Sequence, residues 1–162
     1  MKTTLTAMAV ALSWAASAPA GAADDALLQR MVLCQDSWLD WKSDRARLAR
    51  YVDEVESRFS PGSRDPAFTP KAPIKAFGLP VARLFPQNVG MALGVSVIVD
   101  ADFAQARRSL EGQLGRTMKC ESSDGERACE LKIGEKKTVV LMSEDDGKAK
   151  QTLLGCYYYY EK

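Results

Sequence analysis

Asp100 and Asp102 are the first place to look for chemistry in this chain. Two carboxylates flanking a glycosidic bond can serve as acid and base, or as acid and nucleophile. The local context favours another role for Asp102. It stands ahead of Phe103-Ala104-Gln105, an acidic cap with Gln three residues on, which is the form of a helix-capping box. Other chemistry lacks parts. The 162 residues include no histidine, which removes the commonest general base and the commonest metal ligand together. No Gly-x-Ser-x-Gly elbow, Ser-x-x-Lys motif or glycine-rich phosphate loop occurs. Glu144-Asp145-Asp146 ahead of Gly147 invites a calcium reading, but it lacks the alternating acids of an EF-hand loop and suits a turn between strands. No catalytic residue, metal site or cofactor is predicted, and the chain is expected not to be an enzyme.

The four cysteines carry a firmer message. Asp124-Gly125 is the dipeptide of a tight two-residue hairpin turn. Counting back from it sets Ser123 against Glu126 and Cys120 against Cys129, on a non-hydrogen-bonded pair. The Cα atoms of such pairs lie about 4.5 Å apart, within reach of a disulfide. Cys34 is then left for Cys156, which would join an early helix to the last strand. A metal or redox reading would need closely spaced ligands, and no Cys-x-x-Cys is present.

That last strand, residues 151–160, holds four consecutive tyrosines. Alternation puts Leu154, Cys156, Tyr158 and Tyr160 on one face and Leu153, Tyr157 and Tyr159 on the other. The parity of Cys156 assigns the first set to the helix side. Tyr157 and Tyr159 are the candidate partner-binding residues, either at the rim of a central strand or as an exposed contact patch. Tyrosine offers large, rigid contact area with a polar tip and is enriched at interfaces.

The elements that must position these residues follow from periodicity. Residues 24–59 are expected to be helical, with Leu27, Met31, Cys34, Trp38 and Trp41 on one face and Leu48, Val52, Val55 and Phe59 continuing the rhythm. Ser43-Asp44 could cap a second helix, so one long helix and two with a break both fit. Six prolines punctuate residues 61–86, predicting a connection that is irregular over residues 61–75 and has short extended pieces at 74–77 and 81–85. Residues 91–100 predict a strand with Val95, Val97 and Val99 on one side and the small Ala92, Gly94 and Ser96 beside Ile98 on the other. A small-residue face of this kind admits a helix or a bulky neighbouring aromatic. Residues 103–114 predict a short helix stopped by Gly115. Strands are expected at 116–122, 128–133, 138–143 and 151–160. The fold class is α+β: an N-terminal helical segment packed on a mainly antiparallel sheet with one short inserted helix and two disulfides.

Residues 1–23 have the features of a cleaved signal peptide: Lys2, an apolar core over residues 5–16 and Ala20-Gly21-Ala22. Residues 24–162 would then form one domain. Removing the leader takes one lysine and no acid, leaving 21 basic and 21 acidic residues. That balance gives no support for a nucleic-acid partner, and no integral membrane segment is predicted. The expected location is the periplasm, with secretion as the alternative. The expected function is that of an exported, non-catalytic binding protein whose partner is another protein. Its most concrete form is a periplasmic inhibitor or immunity factor acting on a cell-wall-degrading enzyme or toxin. The alternatives are a carboxylate-dependent envelope hydrolase and an accessory subunit of an envelope assembly.

Overall fold

The computed structural model describes residues 24–35, 45–62, 66–89, 92–123, 125–144 and 150–159. The expectations for the leader, the Ser43-Asp44 cap, Trp38, Trp41, Asp145, Asp146 and Tyr160 fall outside these residues. Among the described residues no helix is long and apolar enough to cross a membrane.

One antiparallel sheet dominates. Its strands are β1 (Phe59–Pro61), β2 (Phe68–Pro70), β4 (Leu79–Val89), β5 (Ala92–Val99), β6 (Lys119–Ser123), β7 (Glu126–Lys132), β8 (Lys137–Glu144) and β9 (Gln151–Tyr159). They lie in the order β1-β2-β4-β5-β9-β8-β7-β6, while the short β3 (Lys75–Ala76) pairs with β4 alone. The last strand therefore sits in the middle, paired with β5 on one side and β8 on the other. Among the described residues three helices accompany the sheet: α1 (Ala26–Val32), α2 (Arg45–Arg58) and α3 (Phe103–Leu114). This is the α+β arrangement expected, with α3 as the inserted helix.

Helix α1 is shorter than the heptad-like spacing suggested. Asp25 caps it, its Oδ1 accepting from the amides of Leu27 at 3.0 Å and Leu28 at 3.1 Å. Leu27, Leu28, Met31 and Val32 are buried. The helix then closes at Cys34, which adopts a left-handed φ of 58°. The Cys34 amide donates to Met31 and the Gln35 amide to Arg30, the crossed pair of bonds that defines a Schellman stop. Glycine normally fills that position, and a side chain there costs roughly 1–2 kcal/mol. Here the disulfide to Cys156 fixes the cysteine in place. Cys34 is thus a helix terminator rather than a member of the helical stripe. At the other limit the helical segment gives way at Phe59, which begins β1. Arg50, Asp53, Glu54 and Glu56 of α2 are exposed, as a solvated face requires. The Arg58 guanidinium reaches back to pair with Asp25, tying the end of α2 to the start of α1.

The proline-rich stretch is more regular than expected. Pro61 and Pro70 lie in β1 and β2, and Pro80 and Pro86 lie in β4. Pro80 and Pro86 stand opposite Lys75 and Val95; at Pro61 and Pro70 few ladder donors are needed. β1 and β2 form a short ribbon at the sheet edge, and β2 meets β4 only at Phe68 and Leu84. Prolines at such an edge also discourage pairing with foreign strands. Between β3 and β4, Phe77 and Gly78 take φ values of 55° and 75°, the backbone of a primed two-residue turn.

Both disulfides form as the spacing demanded. Cys120 and Cys129 face each other in the β6–β7 register with Cα atoms 4.0 Å apart, and Gly125 takes a φ of 88° in the turn. Cys34 joins Cys156 across 122 residues. Two such bonds fit folding in an oxidising compartment. The core lies on the Cys156 side of the sheet, where Val95, Val97, Val99, Val139, Leu141, Leu154 and Tyr158 meet Leu28, Val55 and Leu110 from the three helices.

Candidate partner-binding face of the sheet

Strand parity divides the sheet cleanly. Because Val95 and Val139 both pair with Cys156, their odd-numbered neighbours face the helices. The even positions of β5 and β8 and the odd positions of β9 face the other way, and no described helix joins them. Along β9 this second face runs Gln151, Leu153, Gly155, Tyr157, Tyr159, and it divides into three zones.

At one end is a polar chain. Arg83 donates to Gln151 Oε1 at 3.4 Å, and Gln151 Nε2 donates to Asp100 Oδ1 at 2.7 Å. Asp100 is thereby engaged with β9, whereas Asp102 caps α3, its Oδ1 accepting from the Gln105 amide at 2.8 Å. That amide holds the Asp102 carboxyl below its ordinary pKa, against a smaller opposing effect of desolvation. Each member of the carboxylate pair therefore has a structural partner of its own.

The middle zone is apolar and closely packed. Ile98, Val140 and Leu153 are buried. A Cβ on Gly155 would stand 2.5 Å from Ser96 Oγ, and a Cβ on Gly94 would stand 2.5 Å from the Tyr157 ring. Gly94 and Tyr157 are cross-strand partners, so the glycine lets the ring lie flat on the sheet. A bulky neighbouring aromatic is thus what the small face of β5 accommodates. The Ser96 hydroxyl is fully buried and has no hydrogen-bond partner among the described residues. Leaving such a group unpaired typically costs about 1–3 kcal/mol.

The third zone is aromatic and open. Tyr159 is 41% exposed and Met142 36%. Tyr157 lies half-buried between them, its hydroxyl 4.0 Å from the Met142 sulfur. The structure thus brings Tyr157 and Tyr159 together on the face that carries no described helix. Tyr158 points the opposite way, 1% exposed and with the Lys137 ammonium 5.6 Å from its ring centre. Met142 was not singled out from the sequence, although its even position in β8 was the available signal.

Two hollows lie outside this face. One, of about 190 Å³, sits between α1, α2 and the sheet and is lined by Met31, Val52, Val55, Glu56, Phe68, Leu84, Pro86 and Val95. The other lies between α3 and the β6–β7 hairpin. Among the described residues no three Cys, Asp or Glu side chains are grouped so as to hold a metal ion. Comparison with known proteins returns no match to a family model, a curated protein or a solved structure.

Proposed function

We propose that this chain is an exported binding protein without catalysis of its own. Its most concrete form is a periplasmic inhibitor or immunity factor that occludes a cell-wall-degrading enzyme or toxin. The observation that supports a binding role is the contiguous Tyr157, Tyr159 and Met142 patch on a sheet face that carries no described helix. Exposed tyrosines on a stiff central strand present contact area at little entropic expense, which is how interface anchors work. The leader-like residues 1–23 and the paired cysteines support export, and the periplasm is proposed ahead of full secretion.

The test is capture from an envelope extract on residues 24–162, followed by assay of the captured protein for peptidoglycan lysis with and without the bait. Inhibited lysis supports the reading. Lysis catalysed by the bait alone would replace it with the hydrolase alternative, in which Asp100 and Asp102 would be the first residues to substitute. Capture of a multiprotein envelope assembly without lytic activity would favour the accessory-subunit alternative.

A further inference from the structure

The hollow between α3 and the β6–β7 hairpin has a volume of about 320 Å³ and two arginines in its wall, Arg107 and Arg127. They reach it from different elements. Arg107 is four residues beyond Phe103 on α3, so both project from one face of the helix. Arg127 enters from β7 and lays its guanidinium over the Phe103 ring, 4.7 Å from the ring centre. Two like charges converging on one hollow repel each other, and among the described residues only one has an acidic partner. Arg107 Nε donates to Glu111 Oε1 at 2.9 Å, an edge contact that leaves the terminal nitrogens of its fork. Glu111 is itself braced, accepting from the Met118 amide at 2.8 Å. Arg127 pairs with no carboxylate among the described residues. The one acid in the lining, Glu121, is drawn off by Lys119 at 3.1 Å.

We infer that this hollow is a carboxylate-binding site, in which the forks of Arg107 and Arg127 grip one carboxylate between α3 and the hairpin. The reasoning is independent of the tyrosine face. A planar guanidinium presents paired N–H donors matched to the two oxygens of a carboxylate, and charge-assisted bonds of this kind are the strong ones. Both forks are oriented in advance, one by Glu111 and the other by the Phe103 ring. The wall behind Arg127 is stiffened by the Cys120–Cys129 bond. The carboxylate could belong to a free organic acid or to an acidic side chain of another protein, since the chemistry presented is the same.

The test follows the arginine Nε–Hε resonances of isotopically labelled residues 24–162 at constant ionic strength. Titrants are succinate, its uncharged analogue succinamide, and a blocked Gly-Glu-Gly peptide. Saturable shifts of the Arg107 and Arg127 signals with a carboxylate, absent with succinamide, are expected. Tighter binding of succinate would indicate a free acid, and tighter binding of the peptide a protein side chain. Arg107→Gln and Arg127→Lys should each weaken binding by about fivefold or more, the second because an ammonium cannot fork. Glu121→Gln should tighten it about twofold by removing a like charge. Linear shifts that chloride reproduces, or unchanged affinity in both arginine variants, would overturn the assignment. The wild-type titration decides the matter even if one variant fails to fold.

Discussion

Tyr158 and Tyr159 are neighbours in one strand, yet the first is 1% exposed and the second 41%. The difference belongs to the two faces of the sheet rather than to the residues. On the Cys156 side three helices cover the strands, so a tyrosine there is packing material. On the other side the same residue type ends in solvent. A strand of near-uniform composition thus serves a core and a surface at once, because its side chains alternate while the described helices lie on one side only.

The comparison can be broken most forcefully at Cys34–Cys156, which pins α1 to the helix-bearing face. Replacing both with Ala should cost about 4–5 kcal/mol by the loop-entropy argument, against about 3 kcal/mol for the Cys120/Cys129 pair, whose loop is far shorter. Urea unfolding of the two double variants checks the ranking, and equal losses would contradict it. Next comes Tyr158→Ser, which should destabilise by about 3–5 kcal/mol because a fully enclosed ring leaves a cavity.

The opposite face should behave otherwise. Tyr157→Ser with Tyr159→Ser should weaken partner binding by about thirtyfold, near 2 kcal/mol, with most of the loss from Tyr159. The melting temperature should fall only modestly, through Tyr157 and its packing on Gly94. A collapse like that of Tyr158→Ser would move this zone into the core. Ser96→Ala sharpens the contrast further. It removes a buried hydroxyl that has no partner among the described residues, and stability should hold or rise by up to about 1 kcal/mol. Gly155→Ala, which pushes a methyl into that hydroxyl, should lower stability.

The smallest effect is one of pH, and it belongs to α3. The Gln105 amide holds the Asp102 carboxyl below its ordinary value. Burial pushes the Glu111 carboxyl up, but the Met118 amide and Arg107 outweigh it and leave it lowered as well. A carboxyl with a depressed folded pKa adds stability above its unfolded value, and that contribution is lost as pH falls through the folded one. Melting temperature should therefore drop below about pH 4, and Asp102→Asn with Glu111→Gln should flatten that part of the profile. An unchanged acid limb would show that neither group is linked to folding.

Much of this was legible in the sequence where the determining contacts are local. Asp102 caps α3 and Gly115 stops it with a φ of 61°, both consequences of residues within one turn. Asp124-Gly125 and the spacing of Cys120 and Cys129 determined a register, since a two-residue turn leaves one way to count. Pairing Cys34 with Cys156 followed once the hairpin had claimed the other two cysteines. Single positions inside a tertiary frame were not legible in this way. The spacing of Cys34 matched a helix, but a bond to a strand 122 residues away holds it in a left-handed turn. The prolines of residues 61–86 argued against strands, yet Pro61 and Pro70 occupy a short ribbon at the sheet edge and Pro80 and Pro86 lie in β4.

The faces of β9 were likewise determined by sequence, because alternation is a property of the backbone and needs no neighbour. Which face is covered was decided by tertiary structure alone, since it depends on where α1 and α3 dock. The convergence of Arg107 and Arg127 on one hollow is of the same kind. These residues stand apart in the chain, and no periodicity connects a helix to a hairpin it meets only after folding. Local geometry is encoded within a few residues. The meeting of distant surfaces is chosen by the free energy of burying them together.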